Sequence, residues 1–198
     1  NSVYNSVTYI LGQTYHENQE KYIKIHDTFN SIFFGLMTAI MMVCYFLTLP
    51  FVSLYTSGVT DTDYIYTSLP LMFCLVQLLS WSRYVAGNLV GVAGRIRKAV
   101  WVNVLEAGIN LTCSIILVQK FGIVGVLFAT VIALPIKLIY CNYVGDRIIL
   151  NRSCGNTVKI LGTNFLLFFG AVFVQPYVHI KIDSYLSFVV CGTGLSFL

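Results

Sequence analysis

The sequence predicts an all-α fold, a polytopic transmembrane helix bundle. Of its 198 residues, 57% are hydrophobic and only 10% are charged, and the mean hydropathy is +0.78. Soluble domains carry about 25% charged residues. The apolar residues also form runs of about twenty, the length that an α-helix needs to cross the hydrocarbon core of a bilayer. We therefore expect about five full spans, with a cut helix at each end of the chain.

The predicted spans follow one another through short polar connections. They cover residues 29–49, 64–88, 99–118, 123–144 and 160–178. The first span holds no charged residue, and we expect Pro50 to end it, because proline lacks the amide hydrogen that a helix interior needs. The third and fourth spans are separated by a tight turn that ends at Gly122. Residues 1–13 and 184–198 are predicted to be the two cut helices.

The distribution of Lys and Arg predicts the orientation of the bundle. Alternate polar segments at 14–28, 91–98 and 145–159 carry eight of these residues, whereas the opposite connections carry only Lys120 and Lys181. Cytoplasmic loops hold the excess of positive charge in membrane proteins. We therefore expect loops 14–28, 91–98 and 145–159 to be cytoplasmic. Within the second of them, Arg95, Arg97 and Lys98 form a basic loop suited to topology determination and to contact with anionic lipid headgroups.

Three charged residues interrupt the predicted spans, namely Arg83, Glu106 and Lys137. At a rise of about 1.5 Å per residue they lie about 12, 10 and 13 Å from the cytoplasmic ends of their helices. A charge near the bilayer centre costs at least about 2.5–3.5 kcal/mol, so such residues usually face a cavity or one another. We therefore expect the three side chains to share one layer in the inner half of the bilayer.

Glu106 belongs to a polar stripe on the third span. The spacing of three and four residues places these side chains on one helix face: Asn103, Glu106, Asn110 and Ser114. One interpretation is packing between helices, with Glu106 paired to Arg83 or Lys137. The other is a wet cavity wall, in which Asn103 and Asn110 contact a substrate and Glu106 binds a proton or a cation.

The two cations also allow two interpretations. Long basic side chains can extend to the membrane interface from within a span. If Arg83 and Lys137 face a polar interior instead, two cations against one carboxylate leave an excess of positive charge. Such an excess favours an anionic ligand such as a phosphate.

Pro135 is the candidate hinge of the fourth span, because proline removes a backbone hydrogen bond and can kink a helix. The alternative is a packing role for this whole segment, since small residues that let helices approach closely precede the proline. They are Gly122, Gly125, Ala129 and Ala133.

Several classes of site find no support in the sequence. The three histidines are far apart and no C-x-x-C motif occurs, so we expect no metal site. No phosphate-binding G-x-x-x-x-G-K-[ST] motif and no zinc-protease H-E-x-x-H motif is present. The longest connections hold about fifteen residues. We therefore expect neither an enzyme nor a nucleic-acid-binding protein, and no organic cofactor.

Two groups of short runs follow one another along the chain. The first group is Leu11-Gly12-Gln13, Leu54-Tyr55-Thr56-Ser57-Gly58-Val59, Trp81-Ser82-Arg83-Tyr84, Asn88 and Ala93-Gly94 before the basic residues. The second group is Glu106-Ala107-Gly108-Ile109-Asn110-Leu111, Ser114-Ile115-Ile116-Leu117-Val118, Lys120-Phe121-Gly122-Ile123-Val124-Gly125-Val126 and Thr130. In their order and spacing, these runs resemble the polysaccharide-transport (Wzx-like O-antigen and capsule flippase) proteins. The resemblance covers residues 1–150. Arg83, Glu106 and Asn110 match family positions, whereas Lys137 has no known counterpart.

The resemblance implies a MATE-like transporter of the multidrug/oligosaccharidyl-lipid/polysaccharide exporter superfamily. Residues 1–150 would form the core of its C-terminal bundle, and residues 151–198 further transmembrane helices. Such proteins move an undecaprenyl-diphosphate-linked oligosaccharide across the bacterial cytoplasmic (inner) membrane by alternating access, coupled to H⁺ or Na⁺. The expected partners are this lipid-linked oligosaccharide, membrane lipids and other polysaccharide-assembly membrane proteins. The alternatives are a multidrug or organic-cation exporter, a membrane-embedded polysaccharide polymerase, and a purely structural protein.

Overall fold

The computed structural model describes residues 9, 12–56 and 66–177, and these residues are helical with no strand among them. The helices are α1 (Gln19–Tyr55), α2 (Leu69–Trp81), α3 (Tyr84–Val92), α4 (Ile96–Tyr143) and α5 (Gly155–Val174). A π-helical turn, Val144–Ile149, continues α4, and a 3-10 turn, Gln175–Tyr177, follows α5. Both predicted cut helices lie outside the described residues, apart from residues 9, 12 and 13 of the first.

Among the described residues, four helical stretches are long and apolar enough to cross a membrane. They are Gln19–Tyr55, Leu69–Val92, Ala99–Ile149 and Gly155–Tyr177. Large apolar side chains on these helices point outward, among them Leu36, Leu111 and Leu166. Such surfaces are stable in contact with lipid chains. The all-α prediction is therefore confirmed for the described residues, and the four stretches indicate a membrane protein.

The third of these stretches reverses direction at Gly122. This residue has φ 56° and ψ −136°, which only glycine adopts without strain. After the reversal, Gly125 lies against the Leu117 carbonyl so closely that a Cβ atom would overlap it. The Thr130 hydroxyl donates to Asn110 Oδ1 at 3.4 Å. The two halves of α4 therefore pack as an antiparallel hairpin, and the predicted turn at Gly122 is confirmed.

Pro50 does not end the first helix, so that prediction is wrong. The helix α1 continues through Pro50 to Tyr55, and the Thr56 amide closes it on the Val52 carbonyl at 2.9 Å. A proline costs a helix one hydrogen bond, but irregular backbone in the hydrocarbon would leave more groups unsatisfied. Continuing the helix is therefore the less costly arrangement.

The predicted loop 14–28 is mostly helical, which corrects the sequence interpretation. Asn18 caps α1 by accepting from the Lys21 amide at 2.9 Å. Glu20, Lys21 and Lys24 are exposed on the outer faces of a helix that buries one continuous stripe. That stripe consists of Tyr22, His26, Asn30, Phe34, Thr38 and Met41. Spacings of three and four residues put these side chains on one face, so the packing selects a helix.

The predicted second span and basic loop 91–98 also differ from the structure. The helix breaks at Ser82 and Arg83 instead of continuing to residue 88, and α3 then runs to Val92. Two side chains satisfy the backbone at this break. Ser82 Oγ donates to the Leu79 carbonyl at 2.9 Å, and Asn142 Nδ2 donates to the Ser82 carbonyl at 3.4 Å. The turn before α4 is only residues 93–95, with Gly94 at φ 69°.

The predicted loop 145–159 is largely helical as well. The π-helical turn occupies its beginning, and α5 begins at Gly155. Asp146, which we expected in a solvated loop, is buried because its carboxylate accepts from Arg152. The charged hydrogen bond from Arg152 offsets part of the free energy that removing this carboxylate from water costs.

Two apolar clusters hold the helices together. One joins α1, α2 and α5 through Phe34, Met41, Leu78 and Phe168. The other lies at one end of the molecule, where Tyr22 and Leu89 pack against the π-helical turn, with Ala93 and Ala99 at its edge. Segments 14–28, 91–98 and 145–159 therefore meet at the same end of the bundle.

The hairpin packing predicts the effect of Gly125→Ala. Its new methyl group would overlap the Leu117 carbonyl, so we expect the variant to lose about 1–3 kcal/mol of stability. Gly108→Ala is the matched control, because no atom lies within 4 Å of the position that its Cβ would take. Thermal unfolding in detergent tests this. Equal unfolding temperatures for the two variants would contradict the close approach at Gly125.

Candidate functional site

Arg83 and Glu106 form an ion pair between the α2–α3 break and the first half of α4. Arg83 Nη1 donates to both carboxylate oxygens, at 2.9 Å to Oε2 and 3.2 Å to Oε1. The two side chains are only 18% and 16% exposed. The helix break places Arg83 here, because Arg83 is the residue at which the chain leaves α2 and enters α3. The predicted pairing of Glu106 with Arg83 is therefore present.

The guanidinium of Arg83 is only partly used by this pair. Both contacts to Glu106 employ Nη1, and within the described residues Nη2 and Nε make no hydrogen bond. A guanidinium carries five N–H donors in a fixed plane. Arg83 can therefore hold Glu106 and bind a second anion at the same time.

Lys137 lines the same cavity as Arg83. The cavity has a volume of about 660 Å³, and its wall also includes Asn103, Tyr84, Asn88 and Cys141. Among the described residues, no carboxylate lies within 4.0 Å of the Lys137 ammonium. Since Glu106 compensates one of the two cations, one positive charge remains at this cavity. The structure thus brings Arg83, Lys137 and Asn103 together.

Asn110 occupies a different position from the one that we expected. Its Oδ1 accepts from Ser114 Oγ at 3.2 Å and from Thr130 Oγ1 at 3.4 Å. Thr130 lies on the second half of α4, so Asn110 joins the two halves of the hairpin. It is absent from the described wall of the 660 Å³ cavity. The polar stripe therefore serves both interpretations, with Asn103 at the cavity and Asn110 in helix packing.

The remaining predicted residues lie away from the ion pair. Pro135 sits inside the second half of α4, which remains helical to Tyr143. The neighbouring Ala133 is fully buried, in keeping with a packing role for the small residues. Arg95 and Arg97 are exposed at the turn between α3 and α4, and the side chain of Lys98 lies outside the described part of the structure.

A second charged cluster lies at the end where the three polar segments meet, and the sequence did not predict it. Arg152 binds Asp27 through Nη1 at 2.7 Å and Nη2 at 2.6 Å, and donates from Nε to Asp146 at 2.8 Å. Asn156 donates to Asp27 at 2.8 Å, and His26 Nδ1 lies 3.4 Å from Asp27 Oδ1. Arg152 and Asp27 are 125 residues apart. No helical periodicity could have indicated this contact.

The electrostatics of the cluster favour a charged Arg152. Its partial burial acts to lower the pKa, but the hydrogen bonds to Asp27 and Asp146 outweigh burial, and the pKa of Arg152 is raised above its ordinary value. Arg152 therefore links α1 to the π-helical turn as a permanent cation, and Asn156 at the start of α5 joins the cluster through Asp27.

The cluster predicts a large effect for Arg152→Gln. Removing the guanidinium leaves two carboxylates close together and partly buried, which we expect to cost about 2–4 kcal/mol of stability. Arg147→Gln is the matched control, because Arg147 is exposed in the same connection and has no ion-pair partner among the described residues. Denaturation in detergent measures both. A loss below 1 kcal/mol for Arg152→Gln would mean that the cluster contributes little.

The described residues thus contain two charged groupings, one at the cavity and one at the end of the bundle. No group of three or more His, Cys, Asp or Glu residues among them could hold a metal ion. Comparisons with protein-family models, with curated proteins and with solved structures found no match to this chain.

Proposed function

We propose that this chain is the C-terminal bundle of a membrane flippase. Its substrate would be an undecaprenyl-diphosphate-linked oligosaccharide, carried across the bacterial cytoplasmic membrane for surface polysaccharide synthesis. The observation that carries the proposal is a cavity lined by two cations, Arg83 and Lys137, of which only Arg83 is paired with a carboxylate among the described residues. A volume of about 660 Å³ lies within the range of about 300–1,000 Å³ that is usual for ligand sites.

The residues of the cavity suit a diphosphate. Arg83 Nη2 and Nε, which make no hydrogen bond within the described residues, can donate two parallel hydrogen bonds to phosphate oxygens. The Lys137 ammonium adds a second positive charge on a flexible side chain. Glu106 holds the guanidinium through Nη1 and so fixes the direction of its remaining donors. Asn103, which is exposed on the cavity wall, can contact the sugar or the phosphate by hydrogen bonding.

The architecture supports the same proposal at a coarser level. Counting the two halves of α4 separately, the described chain would cross the bilayer five times. Alternate connections then meet at one end, and this end holds the basic segments predicted to be cytoplasmic. The protein would work by alternating access driven by an ion gradient, with Pro135 as the candidate hinge.

The cavity predicts loss of transport when its cations are removed. Arg83→Ala and Lys137→Ala should each weaken diphosphate binding about 10- to 100-fold, since a charge-assisted hydrogen bond contributes about 1.5–3 kcal/mol. The measurement is surface glycan in a flippase-null strain that carries the full-length protein. Lys120→Ala removes an exposed cation at the Gly122 turn and should leave the glycan unchanged. Normal glycan in both cavity variants, at normal expression, would refute the diphosphate role.

A binding measurement separates the flippase from an organic-cation exporter. The purified full-length protein should be stabilised against thermal unfolding by a short polyprenyl diphosphate and not by the neutral polyprenol, because only the diphosphate compensates the cavity charge. A cationic dye should have no effect for the same reason. Stabilisation by the dye and not by the diphosphate would favour the exporter.

A further inference from the structure

The helix α3 presents two chemically different faces. Its buried face carries four apolar side chains, namely Val85, Ala86, Leu89 and Val90. Spacings of three and four residues place a second set on the wall of the 660 Å³ cavity: Tyr84, Gly87, Asn88 and Gly91. At Gly87 and Gly91 this wall consists of backbone without a side chain.

Packing within the protein does not account for these two glycines. Glycine weakens a helix interior relative to alanine, and a close approach such as that of Gly125 to Leu117 can explain it. At Gly87 and Gly91, however, a Cβ atom would meet no atom of the described residues within 4 Å beyond the backbone of its own helix. Gly162 on α5 has the same open space, but it is exposed and absent from the described cavity wall. The space beside Gly87 and Gly91 therefore belongs to the cavity.

The bare backbone extends from Arg83 toward the end of the bundle at which the basic segments meet. At a rise of about 1.5 Å per residue, Gly87 and Gly91 lie about 6 and 12 Å along α3 from Arg83. The Lys137 ammonium lines the same cavity and has no carboxylate within 4.0 Å among the described residues. This unpaired charge indicates a bound anion independently of the glycines. A ligand whose phosphate binds Arg83 can therefore extend over Gly87 and Gly91.

The residues beside the two glycines have the chemistry that suits a sugar ring. Asn88 on α3 and Asn103 on α4 both line the cavity. A carboxamide carries two donor hydrogens and an acceptor oxygen, which suit the hydroxyl groups of a sugar. Tyr84 adds an aromatic ring, which stacks on Phe33 at a centroid distance of 5.1 Å. A hydrocarbon chain would make no use of the two amides.

We propose that Gly87 and Gly91 form the subsite for the sugar residue nearest the diphosphate. This inference rests on the proposed function and adds the position of the glycan. The phosphates bind Arg83 and Lys137, and the sugar lies over the two glycines toward the predicted cytoplasmic end. Since a side chain at either position would occupy the place of the sugar, the two glycines set the size of the group that the cavity accepts next to the phosphate.

Ligand titrations of the purified full-length protein test the subsite, with stabilisation against thermal unfolding as the readout. The two probes are a short polyprenyl diphosphate and the same diphosphate carrying one hexose. Gly87→Leu and Gly91→Leu should each weaken binding of the glycosylated probe about tenfold or more, because the new side chain overfills the subsite. The affinity for the unglycosylated probe should change less than about twofold, since the cations remain. Gly162→Leu is the matched control and should leave both affinities unchanged.

Gly87→Ala and Gly91→Ala are milder variants that favour the fold. Alanine stabilises a helix relative to glycine, so the ligand-free protein should unfold at a higher temperature. The glycosylated probe should nevertheless bind about three- to tenfold more weakly, because a methyl group now projects into the subsite. If the leucine variants do not fold, this pair decides by the same comparison of probes.

Three results would overturn the inference. Equal losses for both probes would place the polyprenyl chain, and not the sugar, over Gly87 and Gly91. Unchanged affinities in all four variants would mean that the sugar binds elsewhere. A parent protein that binds neither probe would refute the proposed function itself, and this inference with it.

Discussion

The need to satisfy every backbone polar group within the hydrocarbon governs this molecule. The apolar sequence leaves the helix as the only available solution, because an unsatisfied amide or carbonyl costs several kcal/mol in lipid. This constraint explains why α1 continues through Pro50. It also makes each interruption of the helices informative, since a break requires compensation from side chains. Ser82 and Asn142 supply that compensation at the α2–α3 break.

The interruptions and the polar residues of the bundle occur together. The break before α3 places Arg83 opposite Glu106, and the reversal at Gly122 brings Thr130 to Asn110. In each case the break in the helix brings together two side chains that a continuous straight helix would keep apart. The candidate site therefore depends on the breaks as much as on the charged residues themselves.

Charge balance distinguishes the two polar regions. The cavity has an excess of positive charge, because Lys137 has no carboxylate partner among the described residues. The cluster at the end of the bundle has an excess of negative charge, because Arg152 serves two carboxylates. An unpaired charge in a partly buried site costs free energy, and binding of a counter-ion lowers that cost. For the cavity we propose an anionic lipid diphosphate.

The sequence by itself determined the helical membrane character, the turn at Gly122 and the charges of the spans. These properties follow from runs of apolar residues and from the backbone freedom of glycine, which are local. Only the tertiary structure decided that Glu106 pairs with Arg83 and not with Lys137, and that Asn110 joins the α4 hairpin. It alone revealed the contact of Asp27 with Arg152 across 125 residues. The physical reason is that periodicity defines which face a residue occupies, whereas helix packing defines what that face meets.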